Sequence, residues 1–272
     1  MRPRVSLPVL VTAVLLATAW REPFALAHAT PVLTHGALAA LAWTLPCAIG
    51  AWAIGGVSIS GAIAGALVGV LILACAGWPA WWLLGSTFLV TTIATKLGAS
   101  RKSAMGIAEP KRGRRGAGGI VANTAVAAIA ALLIAADPAA PTPRMMLAAA
   151  LITAGSDSVA SEIGKAWGRT TRVIWTDRRV PPGTDGAVSM TGTMAGMLSS
   201  FALSGAAAAL ALLNARAVAS VALASVVASL LEGILAVTLE RRGWLDNDGV
   251  NFVATGLGAA LAVVACALFQ TG

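Results

Sequence analysis

Residues 145–164 read Met-Met-Leu-Ala-Ala-Ala-Leu-Ile-Thr-Ala-Gly-Ser-Asp-Ser-Val-Ala-Ser-Glu-Ile-Gly. The stretch begins as an apolar run and ends with two carboxylates, Asp157 and Glu162, and three hydroxyls, immediately before the basic segment 165–179. An ionised carboxylate in hydrocarbon has a high free-energy cost, so acidic residues in such a run mark a candidate functional site. The stretch therefore indicates a membrane helix that carries chemistry at one end.

Apolar windows of this kind recur along the whole chain. Of the 272 residues, 58% are hydrophobic and 11% charged, and the mean hydropathy is +0.83. Only helices and closed barrels can cross a bilayer, and the Ala/Leu/Val/Gly runs lack the two-residue alternation of barrel strands. The composition predicts an all-α, polytopic transmembrane helical bundle in the cell (inner) membrane.

The charged residues between the apolar segments predict the topology. Nine segments have spanning character, at about 5–20, 33–54, 61–77, 80–97, 119–136, 144–164, 188–213, 217–239 and 249–269. With a cytoplasmic N-terminus, 16 of the 19 basic residues fall on the cytoplasmic side, as the positive-inside rule requires. The net charge of +8 therefore reflects membrane orientation and predicts no nucleic-acid partner. The first segment has two interpretations, a cleaved signal peptide or a retained helix, and Arg21 and Glu22 favour the retained helix.

The first cytoplasmic loop combines cations with glycines just before a helix. Such a pattern suits phosphate, because glycines let backbone N–H groups converge and a helix N-terminus adds partial positive charge. The alternative is a topology signal that touches anionic lipid headgroups. No Walker A motif is present. The candidate phosphate-binding residues here are Lys96, Lys111, Arg112, Arg115, Gly116 and Gly118, with Asn123 just downstream.

The two carboxylates of the opening stretch do not face the same way on a regular helix. Asp157 and Ser161 share a face, whereas Asp157 and Glu162 diverge by about 140°. One carboxylate would then bind a metal while the other pairs with a cation such as Lys165 or a loop arginine, unless glycines unwind the helix locally. A purely structural ion pair is the alternative. The loop that follows adds phosphate-binding candidates, namely Arg178, Arg179, Gly183 and Thr184.

A third set of polar residues lies near the C-terminus. Ser225, Ser229 and Glu232 lie on one helix face, and Asp248, Asn251 and Thr255 on a face of the next helix. The sequence 246–248, Asp-Asn-Asp, lacks the Gly and Glu of an EF-hand. Oxygen ligands without His or Cys favour Mg²⁺, Mn²⁺ or Ca²⁺. Carboxylates beside arginine-rich loops at a membrane face are typical of Mg²⁺-dependent phosphoryl transfer to a lipid-borne substrate.

At these motifs the sequence resembles a known family. The motifs are Thr95 to Gly98, Gly106 to Gly118, Asp157 to Gly164, Arg179 to Gly186 and Trp244 to Asp248. They are similar to those of the integral membrane family of transmembrane protein 19 and phytyl-phosphate kinase. The resemblance runs from about residue 55, and it implies N-terminal helices of variable type at 1–54 and a family core at 55–272 with cytoplasmic loops 98–118, 165–187 and 240–248. It also implies, for one member, synthesis of phytyl diphosphate from a nucleoside triphosphate.

The leading hypothesis is a kinase that transfers phosphate from CTP or ATP to a prenyl monophosphate at the cytoplasmic face. Asp157, Glu232 and Asp248 are the predicted Mg²⁺ ligands. The residues predicted to orient or complete the site are Glu162, Asn123, Asn247 and Asn251. A transporter or flippase for an anionic solute is the main alternative, and a lipid-phosphate nucleotidyltransferase is the third.

Overall fold

The structure, a computed structural model, describes residues 23–108, 113–174, 176 and 178–270. Within these residues the chain forms eight α-helices, a π-helical turn and three short strands. The helices are α1 (Pro23–Ala53), α2 (Ile59–Lys96), α3 (Ala99–Ala104), α4 (Ala117–Ala136), α5 (Pro141–Trp167), α6 (Met190–Ala209), α7 (Ala217–Leu235) and α8 (Asn247–Gln270). The predicted segment 5–20, and with it the question of a retained first helix, lies outside the described residues.

Helix α2 is a hairpin rather than one long span. Gly77 has non-helical torsion angles, with φ 77°, and Pro79 follows it. Beyond that break the chain returns along itself, because a Cβ at Gly69 would lie 3.5 Å from the indole nitrogen of Trp81. At the open end Lys96 Nζ donates to the carbonyl of Ile54 over 2.7 Å. The predicted spans 61–77 and 80–97 are therefore the two antiparallel halves of α2.

Helix α5 lies at the centre of the bundle. It packs against α2, α4, α6, α7 and α8, and every residue from Leu147 to Ser156 is buried. Its neighbours approach closely where they carry glycine: a Cβ at Gly196 of α6 would lie 3.0 Å from the carbonyl oxygen of Ser156, and one at Gly258 of α8 would lie 2.0 Å from Thr153 Oγ1. Small residues permit such backbone approach in membranes, where no hydrophobic force draws helices together.

The all-α fold class predicted from composition is confirmed. Five described segments are long and apolar enough to cross a bilayer: Gly36–Ala53, Ile59–Lys96, Ala117–Ala136, Ala217–Glu240 and Asn247–Leu268. The predicted segments 144–164 and 188–213 are also helical, as α5 and α6, but are more polar. In α5 this polarity comes from the functional stretch itself, since Asp157, Glu162 and Lys165 all lie on it.

The predicted loop 165–187 contains a small folded unit. Strands β1 (Thr171–Val173), β2 (Arg179–Val180) and β3 (Ala187–Ser189) form an antiparallel sheet in the order β2-β1-β3, which the sequence analysis did not predict. The unit docks on the C-terminal end of α7, where a Cβ at Gly186 would lie only 2.5 Å from the carbonyl oxygen of Gly233. Gly186 has φ 68°, so both its conformation and the space around it require glycine.

One end of the bundle, the basic end, gathers the described residues of the segments 54–58, 97–108, 113–116, 168–174, 178–189 and 241–246. Val57 forms a bridge with Arg115, and Gly183 packs against Ile107. Contacts between these segments are possible only if they lie on the same side of the bundle. The connections that the sequence predicts on one side of the membrane therefore lie together at one end of the bundle, as far as the described residues show.

Candidate functional site

A cavity of about 440 Å³ opens at the basic end between α4, α5, α7 and α8. It is lined by all three predicted metal ligands, Asp157, Glu232 and Asp248. The other predicted site residues on its wall are Arg115, Gly116, Gly118, Asn123, Glu162, Asn247 and Asn251. Three polar segments far apart in sequence thus converge on one space, as a single site requires.

A second cavity of about 180 Å³ adjoins the first. The wall between them is shared, because Asp157, Ser161, Lys165, Glu232 and Asn247 line both. The smaller cavity is closed on its far side by the folded loop, which contributes the predicted residues Gly183 and Thr184. The site therefore consists of two chambers that meet at Asp157 and Glu232.

Helices α5 and α7 are held in register by hydroxyl groups below these carboxylates. The Ser156 and Ser229 hydroxyl oxygens are 3.4 Å apart, and Ser225 Oγ donates to the carbonyl of Ala149 over 3.5 Å. The predicted face Ser225, Ser229 and Glu232 of α7 thus faces α5. This packing directs Glu232 toward the chamber wall that Asp157 also forms.

Arg115 is anchored through both its backbone and its side chain. Its backbone N–H donates to the carbonyl of Gly56 over 3.2 Å, and its own carbonyl accepts from Ser58 N over 3.0 Å. The guanidinium donates to Ser158 Oγ over 3.0 Å. Gly61 makes this arrangement possible, since a Cβ there would lie 2.2 Å from the Arg115 carbonyl oxygen. A cation fixed in this way is already oriented for an anionic ligand.

Asp248 lies against the N-terminus of α4, where the sequence predicted phosphate contacts. A Cβ at Gly118 would lie 2.1 Å from Asp248 Oδ2, so glycine is needed for the carboxylate to reach this place. The partial positive charge of the helix N-terminus stabilises it there. The neighbouring Asp246 has a different role, because its Oδ1 accepts from Gly249 N over 2.8 Å and caps α8.

Two amides complete the larger chamber. Asn123 Nδ2 donates to the carbonyl of Gly119 over 2.8 Å, and Asn251 Nδ2 donates to the carbonyl of Asn247 over 2.9 Å. These bonds use the NH₂ groups and leave the amide oxygens uncommitted. Amide oxygens together with carboxylates form a donor set of the kind that hard divalent cations take.

Glu162 belongs to a buried ion network. Its carboxylate pairs with the ammonium of Lys102, which is itself only 2% exposed, and with Lys165 Nζ at 3.5 Å. Lys102 Nζ also donates to the carbonyl of Thr95 over 2.8 Å. Of the roles considered for the second carboxylate, pairing with a cation is the one this geometry favours. Lys102 was not predicted as a site residue, because nothing local distinguishes it from the exposed cations of its loop.

Several predicted phosphate-binding residues lie elsewhere. Lys96 donates to the carbonyl of Ile54 and lines neither chamber. Arg178 and Arg179 are exposed on the folded loop and also lie outside both chambers. Lys111 and Arg112 fall outside the described residues. Among the described cations that were predicted to bind phosphate, Arg115 lines a chamber. The structure adds two further cations to the chamber walls, Arg114 and Lys165.

The smaller chamber also contains two carboxylates that the sequence analysis did not single out, Asp185 and Glu240. Glu240 is the last residue of a π-helical turn, Ala236–Glu240, that continues α7. Turns of this type are rare and frequently occur at functional sites. No sequence pattern predicts such a turn. Glu240 itself could have been singled out as a site residue, because it is an acidic residue directly after the predicted span 217–239.

The donor groups of the chambers bear on whether Mg²⁺ could bind there. Among the described residues no three His, Cys, Asp or Glu side chains lie close enough together to hold a metal ion. Mg²⁺ does not need three such side chains, because it binds through one or two carboxylates and takes its remaining ligands from water and substrate phosphates. Asp157, Glu232 and Asp248 line one cavity but are not grouped to hold an ion together, so one or two of them would have to serve an ion that arrives with a nucleotide.

Comparison with known proteins places the chain in a family. Residues 42–259 match the family described as integral membrane protein DUF92. The chain belongs to this family. The membrane protein sll0875 of Synechocystis sp. (strain PCC 6803) is 34% identical over 253 residues, which cover 92% of this chain and 95% of that protein. Protein VTE6, chloroplastic, of Arabidopsis thaliana is 35% identical over 216 residues, 77% of this chain and 65% of that protein.

A more distant relative is the membrane protein MJ0933 of Methanocaldococcus jannaschii. It is 28% identical over 204 residues, which cover 75% of this chain and 83% of that protein. No solved structure matches the chain. The membership confirms the family indicated by the motifs, and the chain is a multi-pass integral membrane protein.

Proposed function

We propose that the chain is a lipid kinase that transfers the terminal phosphoryl group of CTP or ATP to a prenyl monophosphate at the cytoplasmic face of the cell's inner membrane. The observation that carries the proposal is the convergence of Asp157, Glu232 and Asp248 with Arg115 and Lys165 in adjoining chambers. Membership of the family, for which the motif resemblance implies phytyl-phosphate kinase activity in one member, supports the same reaction class.

The proposed reaction forms one P–O bond and breaks one. A phosphate oxygen of the lipid attacks the terminal phosphorus of the nucleotide, and the nucleoside diphosphate leaves with the bridging oxygen. A phosphate monoester is largely doubly ionised at pH 7, since its second ionisation falls near pH 6. The attacking oxygen therefore has no proton to lose, so the site needs positioning and charge stabilisation more than a general base.

Each group of residues has a part in this reaction. One or two of the carboxylates Asp157, Glu232 and Asp248 would hold Mg²⁺, which neutralises charge on the nucleotide phosphates when it is bound. Arg115 and Lys165 would stabilise the charge that spreads over the transferred group. The amide oxygens of Asn123 and Asn251 would complete the coordination of that ion or of its bound water, and Asn247 would help to orient or complete the site. Glu162 would fix Lys165 in place without touching substrate.

The test is phosphoryl transfer by the purified protein in lipid nanodiscs. With Mg²⁺, phytyl monophosphate and either CTP or ATP, we expect equal amounts of prenyl diphosphate and nucleoside diphosphate. Asp157→Asn should lower kcat by about 100-fold or more, the scale seen when a charge-stabilising group is lost. Asp246→Asn is the matched control, because asparagine caps a helix as well as aspartate.

Three results would contradict the proposal. Release of inorganic diphosphate would identify a nucleotidyltransferase. Movement of the lipid phosphate across proteoliposome membranes without nucleotide consumption would identify a transporter or flippase. Unchanged turnover in Asp157→Asn would reject the assignment of the reaction to these chambers, because Asp157 lines both of them.

A further inference from the structure

A third cavity lies beside the site and has a different character. It has a volume of about 160 Å³ and lies between α1, the two halves of α2 and α4. Its wall is almost wholly apolar, with Val68, Leu84, Phe88 and Ile120 among the lining side chains. The proposed reaction at the chambers gives this cavity no role.

The apolar cavity meets the larger polar chamber at one place. Arg115, Gly119 and Asn123 line both spaces. From this junction the cavity extends along α2 from Gly61 to Gly69, which is about 12 Å at 1.5 Å per residue. A cation and an amide thus lie at the mouth of an apolar channel directed into the bundle.

The cavity exists because two of its glycines face open space. A Cβ at Gly65 or at Gly85 would meet no atom within 4 Å. Gly61 and Gly69 differ, because a Cβ at Gly69 would lie 2.5 Å from Thr44 Cγ2 and one at Gly61 would strike the Arg115 carbonyl. Helix packing therefore accounts for Gly61 and Gly69, but it does not require glycine at 65 or 85.

We infer that this cavity binds the first part of the hydrocarbon chain of a long-chain isoprenoid monophosphate, with the phosphate at Arg115. The inference rests on the proposed function and specifies how its lipid substrate lies. An amphiphile needs an apolar space and a cationic space in contact, and the junction at Arg115 provides both. The rest of the chain passes to the bilayer near Cys47, which lines the cavity and is exposed.

The apolar wall favours a hydrocarbon chain over a hydrated solute, because apolar surface gains free energy when it leaves water. A substrate already in the bilayer gains less from the transfer, so the cavity mainly fixes the position of the headgroup against the polar chamber. Filling the cavity should therefore raise KM for long-chain phosphates without affecting KM for the nucleotide.

The test uses photo-crosslinking, which needs no catalysis. The probe is a C20 isoprenoid monophosphate with a diazirine in its second isoprene unit, added to the protein in nanodiscs without nucleotide. We expect labelled peptides from α2 and loss of labelling with excess phytyl phosphate. Gly65→Leu and Gly85→Leu should reduce α2 labelling at least tenfold. Gly205→Leu should not, since Gly205 is exposed, lines none of the three cavities, and has no atom within 4 Å of its Cβ position.

The outcomes separate this inference from the proposed kinase activity. Suppose that the probe labels α2, that Gly65→Leu abolishes this labelling, and that the protein transfers no phosphate. That result would retain the lipid site and reject the kinase. If the protein phosphorylates the C20 substrate and Gly65→Leu and Gly85→Leu leave the KM for that substrate unchanged, the kinase is retained and the lipid site is rejected. Labelling equal to that of the phosphate-free C20 alcohol probe would also reject it.

Discussion

Glu162 illustrates how the environment of one residue determines its role. From the sequence it was a second carboxylate five positions from Asp157. In the structure it is 4% exposed and is neutralised by Lys102 and Lys165. A buried charge that loses its partner is left uncompensated, so the members of this network depend on one another.

A prediction about stability follows from this network. Lys102→Met leaves Glu162 with Lys165, whose side chain is 25% exposed, and we expect it to lower the free energy of unfolding by up to about 3–5 kcal/mol, the loss for a buried charge without any partner. The double variant Lys102→Met/Glu162→Gln should recover most of that loss, because no uncompensated charge remains. Thermal unfolding in detergent measures both. A double variant as unstable as the single one would show that packing, rather than charge, is what Lys102 contributes.

At the scale of elements, the contact between α4 and α8 decides where Asp248 lies. Two glycines occupy this interface in different ways. At Gly118 a Cβ would collide with the Asp248 carboxylate, whereas at Gly256 it would make an ordinary contact of 3.9 Å with Val126. Alanine at Gly118 should therefore move the Asp248 carboxylate, whereas alanine at Gly256 tests only the packing of α4 against α8.

We expect Gly118→Ala to displace Asp248 and to raise KM for the Mg²⁺–nucleotide complex at least about tenfold, the effect of losing roughly 1.4 kcal/mol of binding. The free energy of unfolding should change little, because only the end of a side chain has to move. Gly256→Ala is the control and should be as active as the unchanged protein and slightly more stable, since alanine is favoured over glycine within helices. Normal kinetics in Gly118→Ala would show that Asp248 does not bind the metal.

The small sheet and the π-helical turn are further features that belong to this scale. The turn carries Glu240 to the smaller chamber, and the sheet closes that chamber from the other side. Both depend on contacts between segments distant in sequence, such as that of Gly186 with Gly233. Local patterns predicted only a loop there, because two- and three-residue strands carry too few side chains to show an alternation.

At the scale of the whole molecule, the distribution of basic residues predicts which end of the bundle faces the cytoplasm. The segments that meet at the basic end contain Arg101, Lys102, Arg114, Arg115, Arg169, Arg172, Arg178, Arg179, Arg241 and Arg242. In the described residues the opposite end has Arg144 and Arg216. From the positive-inside rule we propose that the basic end, and with it the polar chambers, faces the cytoplasm.

Labelling of single cysteines tests this orientation. In a protein whose three native cysteines are replaced, Arg101→Cys and Ala215→Cys place one exposed thiol at each end. A membrane-impermeant maleimide should label Ala215→Cys in spheroplasts and Arg101→Cys only in inverted vesicles. The reverse pattern would put the chambers outside the cell, where no nucleoside triphosphate is available, and would therefore also contradict the proposed kinase.

The sequence by itself determined the class of protein, the helical segments of the described residues and most of the carboxylates and amides that line the chambers. Hydropathy is a local property, so α4, α5, α7 and α8 could be recognised segment by segment. Carboxylates and amides at the ends of spans were visible for a related reason, since a polar group in a membrane protein is conspicuous against an apolar background. Asp157, Glu232, Asp248 and Asn123 were identified in this way.

Only the tertiary structure decided which of these groups meet. Distances between helices and loops decide three things that the sequence did not show. They place Lys96, Arg178 and Arg179 outside the chambers, they pair Glu162 with Lys102, and they leave an apolar cavity at Gly65. Those distances are set by how closely backbones approach at glycines such as Gly61, Gly196 and Gly258. A hydropathy pattern contains no such information, because it records how apolar each residue is and not which residue lies opposite it.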